Sequence, residues 1–248
     1  MTVDALGWRR KFGVIAPSTN TIVQPDFDDL RPRGVTNHYG RIFIPNTPLN
    51  NDADFELLMD NIRKELLAAV DSVMTCEPDY MIMGMSSETF WDGLEGSRKF
   101  RERVEARSGL KLSMGSDASQ EALKCYGVRR LGVVTPYQPV GDKQVARFFN
   151  DCGYDVVKLK GLRCDSPVHI AHVQPATLRD AIAEVNGPEV EAIIQVGTNL
   201  SMMRLAAAAE EVLGKPVIAI NTATYWHALR HNGIDDKLGG FGRLMSEF

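Results

Sequence analysis

Two short runs constrain this chain more than any other feature. Residues 80–83 (Tyr-Met-Ile-Met) and 192–196 (Ala-Ile-Ile-Gln-Val) are apolar almost throughout, without the alternation of a strand that has one wet face. Such strands are buried on both faces, which is the signature of a parallel sheet covered by helices. Other apolar or β-branched runs lie at 12–16, 41–44, 131–135, 155–158 and 217–220. They alternate with amphipathic stretches at 54–74, 96–107, 118–126, 143–151, 175–185 and 201–213. That alternation predicts an α/β fold.

The pattern occurs twice. Gly13-Val14-Ile15-Ala16-Pro17-Ser18 resembles Gly132-Val133-Val134-Thr135-Pro136-Tyr137, and the run from Tyr80 to Ser86 resembles that from Ala192 to Thr198. Gly84 and Gly197 stand as equivalents after the two buried strands. The expectation is two pseudo-symmetric Rossmann-like halves, each a parallel sheet flanked by helices, with a site in the cleft between them. Residues 1–115 with 217–248 form the first half and 116–216 the second, the strand at 217–220 returning to the first.

In open parallel sheets ligands bind at the carboxyl ends of the strands. Four loops there are rich in hydroxyls and amides and contain no Lys or Arg: residues 17–21, 84–89, 135–137 and 197–201. A glycine after a buried strand lets a ligand approach the backbone. N–H groups opening a helix then favour an anion. With no P-loop and no GxGxxG fingerprint, a small carboxylate fits better than a phosphate or a dinucleotide. Each loop also reads as a plain helix cap, with Ser18, Thr19, Thr21, Ser86, Ser87, Thr198 or Asn199 in the capping role.

Composition narrows the partners. A net charge of −4 argues against nucleic acid. No run of about 18 apolar residues predicts a membrane span, and residues 1–11 carry no apolar signal segment. The four cysteines and five histidines show no CxxC or HExxH spacing, so no metal or redox cofactor is expected. His169 and His172 read as surface residues. Reduced thiols suit a cytoplasmic protein. A homo-oligomer is left open, because helix 54–74 carries more apolar surface than one sheet face covers.

These motifs resemble the aspartate/glutamate racemase superfamily, most closely its maleate cis-trans isomerase and arylmalonate decarboxylase branch, over nearly the whole chain. The resemblance implies that Asn20, in Pro17-Ser18-Thr19-Asn20-Thr21, binds a substrate carboxylate, and that Tyr137, after Pro136, hydrogen-bonds one. It places Ser86 in a carboxylate or oxyanion pocket, with Thr198 and Asn199 in the matching second-half loop. Substrate-binding roles are thus expected for Asn20, Ser18, Gly84, Ser86, Ser87, Tyr137, Gly197, Thr198 and Asn199.

The chain departs from the resemblance at one point. Members of the branch carry one or two cysteines directly after the buried strands, and those positions align with Gly84 and Gly197. Cys76, Cys125, Cys152 and Cys164 lie elsewhere. The expected protein is a cofactor-independent isomerase or decarboxylase-like enzyme that stabilises an enolate or oxyanion of a small carboxylate or acyl substrate without those thiols. Glu88 and Tyr137 are the expected catalytic groups, Glu88 with its pKa raised beside Phe90 and Trp91. Asp92, Cys164 and His169 are weaker candidates, and Asn221 reaches toward the cleft. Arg163 or Arg204 turning inward would add a cation. Two alternatives stand: a hydrolase opening an amide, imide or lactone-like bond with Glu88-assisted water, and a non-catalytic carboxylate-binding protein.

Overall fold

The computed structural model describes residues 4–248. The chain runs β1 (Arg10–Pro17), α1 (Val23–Asp29), β2 (Val35–Ile42), α2 (Asp52–Met74), β3 (Tyr80–Met83), α3 (Gly93–Ser108), β4 (Leu112–Ser113), α4 (Gly115–Tyr126). The same order then recurs as β5 (Arg130–Thr135), α5 (Pro139–Asp151), β6 (Asp155–Gly161), α6 (Pro175–Val185), β7 (Ala192–Gln195), α7 (Met203–Leu213), β8 (Val217–Ala219), α8 (Ile220–His231). A short α9 (Arg243–Glu247) follows. The sheets have orders β2-β1-β3-β4 and β6-β5-β7-β8, and every strand pair is parallel. The two-half α/β expectation holds.

Burial explains the central strands. Met81, Ile82, Met83, Ala192, Ile193 and Ile194 have no exposed surface, so both faces of β3 and β7 are covered. The edge strand β2 begins earlier than its apolar content suggests, because Thr36, Asn37, His38 and Tyr39 are only half-buried and carry no apolar run. Helix α2 starts at Asp52, where the Asn51 side chain accepts from the Asp54 N–H. Across the junction of the halves, Phe90 packs edge-on against Phe148 and at a tilt against Phe149.

Three expectations need correction. The strand at 217–220 does not return to the first half: Val217, Ile218 and Ala219 pair with Ile193, Ile194 and Gln195, because β7 offers the open edge beside them. Only the following helix crosses over, packing on α4, β3 and β4. Gly84 and Gly197 are also not equivalent. The Gly84 N–H donates to the Ile15 carbonyl and the Val196 N–H to the Val134 carbonyl, which makes Gly84 the counterpart of Val196 and Ser86 that of Thr198. Finally, most of the apolar surface of α2 is used inside the chain, against β1, β2 and the cleft, leaving Leu57 exposed, so the helix offers less free apolar surface than its sequence suggests.

Helices α1 and α8 meet through Asp26, which accepts from Asn221 Nδ2 at 2.7 Å. Burial pushes the Asp26 carboxyl from 3.8 up to about 6, although the Asn221 bond pulls the other way. Nearby Asp29 adds to the rise and Arg204 opposes it. A carboxyl raised in the folded state holds a proton that the unfolded chain has lost, so its contribution is full below its ordinary value and falls away as pH rises through about 6. Asp26→Asn, which still accepts from Asn221, is expected to raise Tm at pH 8 and to match the unsubstituted protein below pH 4, by the same linkage. An equal Tm difference at both pH values would contradict this assignment.

Candidate active site

The carboxyl ends of β1, β3, β5 and β7 send four loops into one cleft. Its polar lining comes from Thr19, Asn20, Ser86, Ser87, Tyr137, Thr198 and Asn199, and α2 closes one side with Phe55, Leu58 and Ile62. The cavity is about 60 Å³, room for a compact acid of a few heavy atoms, since one water needs about 10–15 Å³ on this scale. Tyr137 is the one titratable side chain among the described lining residues, and none of them is a cysteine.

The two halves are tied together at the floor of this space. Asn20 Nδ2 donates to Thr198 Oγ1 at 2.9 Å, and that hydroxyl donates to the Gly84 carbonyl at 3.1 Å. Asn20 Oδ1 accepts from the N–H groups of Ile22 and Val23, which fixes the loop before α1. Asn199 Oδ1 accepts from the Thr21 N–H, and its Nδ2 donates to the Pro167 carbonyl. Behind Thr198, Asn221 donates to its carbonyl. These side chains are therefore largely occupied in holding loops together.

Other donors stay free for a ligand. Among the described residues, the main-chain N–H groups of Ser86, Ser87, Thr198 and Asn199 donate to no protein acceptor. The Ser86 hydroxyl is buried without a partner. It approaches the Tyr137 hydroxyl, but the pair does not meet hydrogen-bond geometry. Burial pushes the Tyr137 hydroxyl well above its ordinary pKa, and neighbouring Ser86 offsets only part of the rise. Tyr137 is thus held as a neutral O–H donor.

A hydrogen-bonded network running from buried Thr135 and Asp142 to exposed Arg163 sets the position of that tyrosine. Its N–H donates to Thr135 Oγ1 at 3.1 Å, and the Thr135 hydroxyl donates to Asp142. Arg163 donates both to Asp142 and to the Tyr137 carbonyl. Phe55 packs on the Tyr137 ring, 5.3 Å between centroids.

Several sequence expectations are redirected. Ser18 does not line the cleft: its hydroxyl exchanges bonds with the Ile44 N–H and carbonyl, pinning its loop to the segment after β2. Gly84 lies beneath the site and acts through its carbonyl. Glu88 turns away from the cleft to Arg63 Nε at 2.8 Å, so the expected acid/base residue is an ion-pair partner outside it. Burial raises its pKa while Arg63 pulls it down.

The remaining candidates also lie outside the lining. Phe90 is core, and Trp91 stacks on Phe55. Cys164 is buried, its thiol pushed up to about 11 by burial. His169 pairs with Asp165, a carboxylate that the spacing alone did not bring to it, and Asp92 pairs with Arg147. Arg163 and Arg204 are engaged elsewhere, Arg204 with Asp29. The α2 wall was missed, although Phe55, Leu58 and Ile62 share one helical stripe and that spacing was the available signal.

The model of the arylmalonate decarboxylase family matches residues 64–245. The chain belongs to this family. Among characterised relatives it is 26% identical over 240 residues to an arylmalonate decarboxylase of Bordetella bronchiseptica, covering 95% of this chain and 96% of that one. It is 22% identical over 249 residues to a maleate isomerase of Alcaligenes faecalis, covering 95% and 96%. Its fold matches that of a maleate cis-trans isomerase of Nocardia farcinica solved with a covalently bound succinylcysteine intermediate, with a TM-score of 0.86, 18% identity, and 96% and 99% of the two chains covered. In this member of the arylmalonate decarboxylase family, the described cleft lining holds no cysteine that would form such an adduct.

Two outcomes follow for the loops. By the same linkage as at Asp26, the raised Glu88 pKa means that Glu88→Gln, which still accepts from Arg63, is expected to raise Tm at pH 8 and to leave the cleft chemistry nearly unchanged. Loss of ligand binding with unaltered stability would place the carboxylate in the site after all. Gly197 has φ +114°, and a Cβ there would lie 2.6 Å from Pro136 Cδ. Gly197→Ala is therefore expected to cost about 1–3 kcal/mol in urea unfolding; an unchanged midpoint would show that the loop relaxes freely.

Proposed function

We propose that the chain is a cofactor-independent, thiol-free enzyme of decarboxylase or isomerase type, acting on a small carboxylate, with malonate-type diacids as the substrate class. The observation that carries this reading is the cleft lining itself: neutral donors from both halves, an apolar wall, and Tyr137 as its one titratable group. Decarboxylation suits such a site. It breaks the bond from the α-carbon to one carboxylate, releases CO2 and leaves the electron pair on carbon. Delocalisation into the remaining carboxylate gives an enediolate, and no base is required.

The free N–H groups of Ser86, Ser87, Thr198 and Asn199 and the Ser86 hydroxyl are the donors for the charge on those oxygens. Preorganised donors of this kind contribute about 3–4 kcal/mol each when aimed at developing charge. The Tyr137 hydroxyl then gives its proton to the α-carbon, and the resulting tyrosinate takes a proton from water. The apolar wall of Phe55, Leu58 and Ile62 suits a small alkyl substituent, the size that the cavity of about 60 Å³ admits. Thiol addition to a double bond has no nucleophile among the described lining residues, which favours decarboxylation over maleate isomerisation. Water attack assisted by Glu88 loses its base for the same geometric reason.

The test is turnover of aryl- and alkylmalonates and of maleate in D2O, with EDTA present and the cysteines alkylated. The expected result is CO2 release from a malonate with one deuterium at the α-carbon. Tyr137→Phe should lower kcat by about 10²–10³-fold, the range for losing one such donor. Activity abolished by alkylation, or unaffected by Tyr137→Phe, would overturn the mechanism. Binding of diacids with no turnover by any of them would make the chain a carboxylate-binding protein.

A further inference from the structure

The contact between α4 and α8 joins the closing helices of the two repeats, and beside it lies a second pocket of about 660 Å³. Glu121 of α4 and His227 and His231 of α8 meet there. The two histidines are four residues apart, so they stand one above the other on the same helix face. Their rings stack, 3.8 Å between centroids and 19° between planes. His227 Nε2 lies 3.4 Å from Glu121 Oε1, and His231 Nε2 lies 3.0 Å from Glu121 Oε2. One ligand atom from each residue falls within 4.8 Å of the others.

We propose that Glu121, His227 and His231 form a binding site for a divalent transition-metal ion of the zinc class, clamping α4 to α8. Ligand atoms on arms of about 2.0–2.1 Å at tetrahedral angles lie about 3.3 Å apart; Glu121 Oε1 lies 3.4 Å from His227 Nε2 and 3.2 Å from His231 Nε2, close to two edges of such a site, and rotation of the half-exposed His231 ring out of the stack turns its lone pair toward the same ion. His227 supplies the independent observation. It is 3% exposed, and its Nδ1 lies 2.6 Å from Ser113 Oγ, which in turn is 3.1 Å from the Tyr80 hydroxyl. Ser113 accepts from Nδ1–H in the tautomer that leaves the Nε2 lone pair aimed at Glu121. This is the outer-layer hydrogen bond that orients metal-bound imidazoles.

A plain ion pair needs only one imidazole on the carboxylate, whereas two on one side suit a shared cation. Two nitrogens and one carboxylate oxygen select Zn²⁺, Co²⁺ or Ni²⁺ over Ca²⁺ or Mg²⁺, which demand more oxygen ligands. A fourth position is left for water.

The site is separate from the cleft and does not rest on the proposed reaction. The full chain, stripped with EDTA and dialysed, would be titrated with Zn²⁺ by calorimetry and by thermal melting. The expected result is one zinc per chain and a Tm rise that EDTA reverses. Half-exposed His231 permits a variant that folds: His231→Asn, checked by circular dichroism, is expected to lose the one-to-one binding and the Tm rise. Glu121→Gln should do the same, and Ser113→Ala should weaken binding by about 10–100-fold. The His169→Asn/His172→Asn double variant should bind as the unsubstituted chain does. Absence of stoichiometric binding, or binding that survives His231→Asn, would overturn the assignment.

Discussion

The Thr198 hydroxyl accepts from Asn20 and donates to the Gly84 carbonyl, and through that short chain the carboxyl ends of the two sheets are held at one distance. Asn20 sits after β1, Gly84 after β3 and Thr198 after β7, so a single hydroxyl joins loops of both halves. Its proton is spent on the carbonyl. The loop side chains that look most like ligand-binding groups therefore serve as struts, while the N–H groups of Ser86, Ser87, Thr198 and Asn199 are left without a protein acceptor. Removing the hydroxyl would leave the buried Asn20 amide and the Gly84 carbonyl each short of a partner, a cost typically above that of the bond itself.

Charge is handled in the same indirect way. Arg41 donates to the carbonyls of Pro17 and Asn20, Arg163 to that of Tyr137, and Arg63 holds Glu88. Each guanidinium braces a site loop from outside the described lining. In the proposed reaction, a carboxylate entering the cleft would meet fixed dipoles in place of a mobile cation. Such dipoles need no reorganisation when charge shifts from a carboxylate toward an enediolate, the circumstance in which preorganisation is worth most.

The fold was legible wherever a strand is buried on both faces, because β3, β5 and β7 carry a central apolar run without the alternation of a half-wet strand. Elements with weak local signals were missed. Helix α1 spans seven residues and contains Pro25, β4 spans two, and most of β2 is half-buried and polar. The loops of the site were also legible, since their residue types and their place after strands were enough to bring Asn20, Ser86, Ser87, Tyr137, Gly197, Thr198 and Asn199 together. Side-chain direction was not. Nothing in the run Ser86-Ser87-Glu88 says that the carboxylate turns to Arg63 on another helix, or that Ser18 folds back on Ile44. The pair His227 and His231 stands in plain helical spacing, but Glu121 joins it only through the packing of α4 on α8.

The central claim is that a carboxylate is bound by neutral donors from both halves. It is tested most directly by a crystal structure of the full chain with a malonate-type diacid. The account predicts the diacid in the cleft, with carboxylate oxygens within hydrogen-bond reach of the N–H groups of Ser86 and Ser87 on one side and of Thr198 and Asn199 on the other, and of the Tyr137 hydroxyl. A diacid held instead by an arginine, with those N–H groups unengaged, would contradict it.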